Sequence, residues 1–239
     1  MQRKYLLVPL LVAGSISTHA QVSAVQTLNK NYQTGLELLD KEKYTAASQQ
    51  FKLVEQQRYK PSTQTESNAE LSTLKENAKF YAAVCALELN NSDAESLFQS
   101  FIRDYPLNPN TKLAYFHVGK SYFNQKNYKK ALEWFEKTDP SMLSGKQRTE
   151  YQFKQAYAYF MQQDYEKAEP LFEAVKKEKG DFQESATYYF AYINYLNKEY
   201  KTALANFEKL KGSPTYEASY PYYITSMYYL DERYDDVLE

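Results

Sequence analysis

One short pattern recurs along this chain and limits its possible folds more than any other feature. The pattern is Tyr-x-x-Ala-x-x-x-Phe. Four full copies begin at Tyr44, Tyr128, Tyr165 and Tyr200, and two weaker copies begin at Asn91 and Tyr234. From the second copy onward, the central alanine or its counterpart recurs every 34 to 37 residues. A fixed period of this length is typical of stacked helical repeats, so the sequence predicts about six repeat units, the last of them incomplete.

A second set of small residues indicates two helices in each unit. Twelve positions before each central residue lie Gly35, Ala82, Gly119, Ala156, Ala191 and Thr225. Two small positions per unit allow two antiparallel helices to pack closely. In the second helix of the third unit, Leu132 and Phe135 share one face, whereas Lys129, Lys130 and Glu133 are exposed. A single helix pair cannot bury such an apolar face, so neighbouring pairs are expected to stack into an all-α fold.

The third unit resembles the tetratricopeptide repeat (TPR) family most fully. It reads Tyr115-x2-Val118-Gly119-x2-Tyr122, followed by Ala131-x3-Phe135 and then Pro140. The resemblance covers about residues 28 to 239 and implies a right-handed superhelical solenoid of helix-turn-helix repeats. Departures from the family pattern occur at Asn91, Gln152 and Thr187, where the family usually has an aromatic residue. The predicted helix pairs lie near 28–57, 70–104, 110–138, 147–178, 182–211 and 217–239.

The first 20 residues have the layout of a secretory signal peptide. Basic Arg3 and Lys4 precede an apolar stretch over residues 5–13, and small residues lead to Ala20, after which cleavage is expected. The apolar stretch is too short for a membrane span, which needs about 20 residues. The predicted product is therefore secreted across the inner membrane into the periplasm, with no integral membrane segment after cleavage.

The predicted domain organisation has three parts after the signal peptide. A first TPR-like helix pair covers residues 21–58, and a polar linker follows over residues 59–69. The TPR array covers residues 70–239, with units near 70–106, 110–140, 147–180, 182–214 and 217–239. The last copy of the pattern stops before its phenylalanine, so further TPR units are expected after Glu239. The alternative is that the uncapped end is a dimerisation surface.

Composition argues against nucleic-acid binding, and the reactive residues argue against catalysis. Without the signal peptide, 27 basic residues face 30 acidic ones, whereas nucleic-acid binders need a basic surface. The histidines are His19 and His117, and the only cysteine is Cys85, which is expected to be a buried thiol. The sequence has no glycine-rich phosphate loop, GxSxG or CxxC motif. No enzyme activity, metal or cofactor is predicted.

The resemblance also suggests where a partner binds. In TPR proteins the concave surface is lined by the first helix of each unit. The matching positions give a candidate partner-binding groove of Phe116, Lys120, Phe153, Tyr157, Tyr188, Tyr192, Tyr195 and Tyr222. Other rings, especially Phe123 and Phe160, are expected to be core between repeats. Tyrosine hydroxyls need polar partners, which suits a groove for a partner helix or extended segment.

The predicted function is an exported scaffold or adaptor that binds a protein or peptide in the cell envelope. The TPR class that binds a C-terminal carboxylate has lysine and asparagine where this chain has Tyr32 and Leu36, so that ligand is not expected. Two alternatives stay open. One is a TPR-based glycan-binding protein of the outer membrane, which would stack sugars on aromatic residues. The other is the scaffold portion of a longer enzyme.

Overall fold

A computed structural model describes residues 13–56 and 67–230 of the chain. Within these ranges every regular element is helical, which confirms the predicted all-α fold. The α-helices are α1 (Ala13–Asp40), α2 (Tyr44–Gln56), α3 (Ser67–Glu88), α4 (Ala94–Asp104), α5 (Thr111–Asn124), α6 (Tyr128–Phe135), α7 (Gly145–Met161), α8 (Tyr165–Val175), α9 (Gln183–Leu196), α10 (Tyr200–Phe207) and α11 (Tyr220–Leu230). Two short 3-10 helices cover Pro140–Met142 and Glu208–Leu210.

The chain forms two compact units, residues 1–111 and 112–239. In the first, α1 and α2 form one helical hairpin, and α3 and α4 form another. In the second, the hairpins are α5–α6, α7–α8 and α9–α10, and α11 follows them.

Helix bounds differ from the predicted ones at two places. The described part of α1 starts at Ala13, whereas the predicted first helix pair starts near residue 28. Helix α3 begins at Ser67, inside the predicted polar linker. Residues 1–12, 57–66 and 231–239 lie outside the described residues. They include part of the predicted signal peptide, most of that linker and the predicted second helix of the sixth repeat.

All five hairpins turn with the same backbone motif. The N–H groups of Lys43, Asn91, Asn127, Asp164 and Glu199 each donate to the carbonyl five residues earlier, over 2.8–3.0 Å. The preceding residue has a φ between 55° and 64° in every case, at Glu42, Asn90, Lys126, Gln163 and Lys198. This is the Schellman motif, in which glycine is the usual residue at the left-handed position. None of the five is glycine, so composition did not reveal these turns.

Inside each hairpin, the phenylalanine of the second helix packs against the small residue of the first. The five phenylalanines are all fully buried: Phe51, Phe98, Phe135, Phe172 and Phe207. A Cβ atom added to Gly119 would lie 2.5 Å from Cδ1 of Phe135, and one added to Gly35 would lie 2.6 Å from Cε1 of Phe51. The predicted close approach of the two helices is therefore confirmed at both glycines.

Neighbouring hairpins stack through the same phenylalanines. In the first unit Phe51 of α2 stacks on Tyr81 of α3, with ring centroids 5.5 Å apart. In the second unit Phe172 stacks on Tyr189 (5.3 Å) and Phe207 on Tyr223 (5.2 Å), and Phe135 contacts Tyr151 edge-on (5.6 Å). These four phenylalanines each contact their own hairpin and the helix that follows it. Within each unit the hairpins stack as in an α solenoid.

Candidate partner-binding surface

A connected series of aromatic rings crosses the first helices of the second unit. We call it the aromatic ladder, and it consists of Phe123 (α5), Tyr157 and Phe160 (α7), Tyr192 and Tyr195 (α9), and Tyr222 and Tyr223 (α11). Neighbouring ring centroids along it are 5.2–6.4 Å apart. The ladder exists because α7 and α9 carry aromatic residues three and four positions apart, which places them on one helix face.

Tyr157 lies at the centre of the packing between hairpins. Its ring contacts Phe123 at 5.6 Å, Tyr128 at 5.7 Å and Tyr189 at 5.1 Å. Burial, and next the neighbouring Tyr157, raise the pKa of both Tyr128 and Tyr189. A side chain with these partners in α6 and α9 holds the α7 hairpin to both of its neighbours. The structure therefore places this predicted groove residue largely in the packing between repeats.

Tyr188 has a similar structural position between α9, α10 and the segment before α11. It stacks on Tyr216 with centroids 4.6 Å apart and contacts Phe207 edge-on at 5.8 Å. Burial raises the pKa of Tyr188 to about 12, and the neighbouring Tyr223 adds to this shift. Tyr216 in turn donates a hydrogen bond to Ser185 Oγ over 2.8 Å. Tyr188 is thus a packing residue with little surface to offer a partner.

These contacts change the interpretation of the tyrosine hydroxyls. The sequence suggested that they find polar partners in a bound protein. In the structure, the rings of Tyr157 and Tyr188 instead pack against other tyrosines of the same unit, Tyr189 and Tyr216. Sequence reasoning missed Tyr189 and Tyr223 as packing residues, which stack on the preceding buried phenylalanines. Their register was the available signal, because they follow Phe172 and Phe207 by 17 and 16 residues.

Phe116 does not lie on a surface. Its side chain is 1 % exposed and packs against Phe135 and Tyr151, with centroids 6.3 Å apart in both cases. The prediction of Phe116 as a groove residue is therefore corrected to a core residue. Phe153 is half-buried and stacks on Phe182 with centroids 4.8 Å apart.

Lys120 belongs to a charged group at the Phe123 end of the ladder. Its Nζ lies 3.1 Å from Glu150 Oε1, and Lys154 Nζ lies 3.7 Å from the same oxygen. Lys154 Nζ also lies 4.3 Å from the centre of the Phe123 ring, a cation–π contact. All three charged side chains are largely buried. The group therefore holds α5 and α7 together and presents little charge at the surface.

The other end of the ladder is open. Tyr222 is 69 % exposed, and its ring contacts Tyr223 at 5.3 Å. Tyr192 and Tyr195 of α9 are half-buried and rest edge-on against Tyr223, at 5.4 Å and 5.2 Å. Tyr222, Thr225, Ser226 and Tyr229 also line a shallow, mainly apolar depression along α11. Of the eight predicted site residues, Tyr192, Tyr195 and Tyr222 are the ones brought together at this open end.

The reactive residues singled out in the sequence are buried. His117 is fully enclosed, and burial lowers its pKa to about 3, so its ring is neutral at physiological pH. Cys85 lies in the core of the first unit, where burial raises its thiol pKa to about 12. Among the described residues, no three His, Cys, Asp or Glu side chains group in a way that would hold a metal ion. No helix in residues 13–56 or 67–230 is long and apolar enough to cross a membrane.

Comparison with known proteins gives two matches, both to family models described as tetratricopeptide repeat. One covers residues 88–141, which include α4, α5 and α6. The other covers residues 150–178, which include most of α7 and all of α8. No curated protein sequence matches the chain. The two matches, together with the repeated hairpins, support the tetratricopeptide repeat family for this chain.

Proposed function

We propose that this chain is an exported, non-catalytic adaptor that binds a protein partner in the cell envelope through the open end of its aromatic ladder. TPR repeats in general imply a protein-interaction scaffold. The observation that carries the finer proposal is the convergence of Tyr192, Tyr195 and Tyr222 on Tyr223, with Tyr222 mostly exposed. Exposed apolar groups gathered in one place are typical of protein interfaces.

The proposed surface is smaller than the groove suggested by the family resemblance. Most of the surface of Tyr157, Tyr188 and Phe116 is in contact with other residues of the second unit. Tyr222 contacts one ring, and most of its surface is exposed to water. Tyrosine is enriched among residues that dominate binding energy, because it buries a large ring at a low entropic cost. The hydroxyls at the open end remain positioned to bond a partner's backbone.

The partner's chemistry follows from this surface. The depression along α11 is mainly apolar and has no charged residue in its lining. It suits a helix or extended segment that inserts aliphatic or aromatic side chains between tyrosine rings. A strongly charged partner segment would lose its hydration here without gaining an ion pair.

Export is proposed from the N-terminal sequence. Arg3 and Lys4, the apolar stretch over residues 5–13 and the small residues before Ala20 together form a signal-peptide pattern. The proposal places the processed chain in the periplasm. Sequencing the N-terminus of protein recovered from an envelope fraction checks this step, and a chain that still begins at Met1 would contradict it.

The binding proposal is tested by affinity capture from envelope extract with the full chain as bait. The test variant replaces Tyr195 and Tyr222 with alanine, and the control replaces Leu107, a 96 % exposed apolar residue of the first unit, with alanine. The wild-type chain and Leu107→Ala are expected to retain the same protein, and the double variant to lose it. Equal capture by all three baits would exclude the tyrosine surface.

The same experiment addresses glycan binding. Soluble envelope oligosaccharides added during capture are expected to leave the partner bound. If they release it and also quench tyrosine fluorescence of the free chain, the surface binds sugars and the protein-partner proposal is wrong.

A further inference from the structure

A second cavity of the second unit lies apart from the aromatic ladder. It has a volume of about 380 Å³ and opens between the C-terminal ends of α8 and α10 and the first turns of α9. Lys176, Lys177, Lys209, Glu184, Thr187 and Asn206 contribute to its lining. Three lysines and one carboxylate give this cavity an excess of positive charge.

Lys176 is the central cation of the cavity. Its Nζ donates a hydrogen bond to the amide oxygen of Asn206 over 2.9 Å and lies 3.8 Å from the centre of the Phe190 ring. The side chain is half-buried, and burial lowers its pKa, with Lys209 as the next cause. The ammonium group has thus lost part of its hydration, and its hydrogen-bond acceptor is neutral. Partial burial of a cation without a directly bonded carboxylate is unfavourable.

The other charged groups at the cavity do not form ion pairs with Lys176 or Lys209. Lys177 pairs with Glu173 over 2.8 Å. Glu184 accepts a hydrogen bond from Ser213 Oγ over 2.7 Å. Lys209 is exposed and forms no ion pair with any described residue. Lys176 and Lys209 therefore face the cavity with no carboxylate bonded to either.

Helix ends alone do not explain this arrangement. Lysines near the carbonyl end of a helix gain about 0.3–1 kcal/mol from the helix dipole, and α8 and α10 end close to Lys176 and Lys209. That effect would be available to fully hydrated lysines on the surface. It does not require an ammonium to lie against an aromatic ring with a second ammonium as a neighbour.

We propose that the cavity binds a phosphate-type oxyanion between Lys176 and Lys209. An anion there would neutralise both ammonium groups and accept hydrogen bonds from their remaining N–H groups. Lysine commonly binds phosphate as a point charge. The volume is large enough for a phosphate or pyrophosphate group. This site is independent of the proposed protein partner, because it shares no residue with the aromatic ladder.

The test is a titration of the full chain with inorganic phosphate and pyrophosphate at constant ionic strength, followed by amide NMR shifts. Saturating shifts are expected at residues lining the cavity, with pyrophosphate binding more tightly than phosphate and chloride causing none. Lys176→Gln and Lys209→Gln should each weaken pyrophosphate binding by about tenfold, as expected for the loss of a charge-assisted hydrogen bond. Glu184→Gln should strengthen it by removing the opposing charge.

Lys201→Gln is the matched control, because Lys201 is an exposed lysine of α10 outside the cavity. It should leave binding unchanged. Non-saturating shifts, or equal weakening in the Lys201 variant, would show that anions merely collect around a charged surface and would overturn the proposal. If Lys176→Gln lowers the helix content in circular dichroism, the Lys209→Gln variant provides the test, because Lys209 is exposed. Unchanged pyrophosphate binding in that variant would refute the site.

Discussion

Tyr157 of α7 and Tyr189 of α9 form an edge-on ring pair, with centroids 5.1 Å apart and planes at 81°. The pair therefore joins two hairpins through an apolar contact. Aromatic pairs of this geometry contribute about 0.5–1.5 kcal/mol beyond the area that they bury. A residue in such a pair is expected to affect folding before it affects binding.

Replacing Tyr157 is predicted to destabilise the second unit in two steps. Tyr157→Phe removes the hydroxyl but keeps the ring contacts, and should cost at most about 1 kcal/mol. Tyr157→Ala also removes its ring contacts and should cost about 2–4 kcal/mol. Urea unfolding followed by circular dichroism measures both. An alanine variant as stable as wild type would mean that the ring is available to a partner after all.

Gly119→Ala is predicted to destabilise the chain by about 1–3 kcal/mol, because the new methyl group would meet the Phe135 ring at 2.5 Å. Gly145→Ala is the matched control in another helix of the same unit. No atom lies within 4 Å of a Cβ at that position, so the change should be neutral or stabilise by up to about 1 kcal/mol. Thermal unfolding of the two variants compares them. Equal effects would contradict the tight helix contact at Gly119.

Glycine at the hairpin turns is predicted to stabilise the chain. Gln163 and Lys198 have φ values of 60° and 64°, a conformation that costs a non-glycine residue about 1–2 kcal/mol. Glycine also loses more conformational entropy on folding, which offsets part of this cost. Each change to glycine should therefore raise the free energy of unfolding by about 0.5–1 kcal/mol. Chemical denaturation measures the gain. Lys129→Gly, inside α6, is the control and should instead cost about 1 kcal/mol.

Acid is predicted to destabilise the second unit through His117. Burial holds the pKa of His117 at about 3, below its ordinary value near 6.5, so the unfolded chain binds a proton that the folded chain excludes. This contribution to stability is complete above about pH 6.5 and is lost as the pH falls toward 3. Between pH 6.5 and 4.5 the loss should be about 2 kcal/mol.

The comparison of wild type with His117→Gln isolates this contribution, because carboxylates titrate equally in both proteins. The difference between their unfolding free energies should shrink as the pH falls from 7 to 4.5. A ring resonance of His117 that shifts between pH 8 and 5 in the native state would contradict the buried, neutral ring.

Removal of residues 1–20 is predicted to leave stability within about 0.5 kcal/mol of that of the full chain. Among the side chains that the structure describes, Leu28 is the first buried one in α1, two helical turns beyond Ala20. Removal of residues 1–30 should be costly, because it deletes Leu28 from the core formed with Phe51 and Val54. Thermal unfolding of both truncations checks this, and a large loss in the shorter deletion would show that the predicted signal segment also packs in the folded chain.

The sequence was sufficient to predict an all-helical chain with two helices per repeat. It also predicted that two small positions per unit let the helices pack closely, and in the structure Gly119 lies against Phe135. These features depend on residue type and local spacing, and a helix places residues of fixed spacing on one face wherever it occurs. The five turns are a local feature that the sequence did not predict, because none of them has the glycine that usually marks such a turn. The residues at this position are Glu42, Asn90, Lys126, Gln163 and Lys198.

Only the tertiary structure decided which aromatic residues are packing and which are surface. Helical spacing gave Phe153, Tyr188 and Tyr222 equivalent positions in successive repeats. In the folded chain, Phe182 covers Phe153 and Tyr216 covers Tyr188, whereas Tyr222 is left 69 % exposed. Periodicity defines the face of a helix to which a ring belongs. How much of that face is covered depends on residues of the next hairpin, which are distant in sequence and adjacent only after the hairpins have stacked.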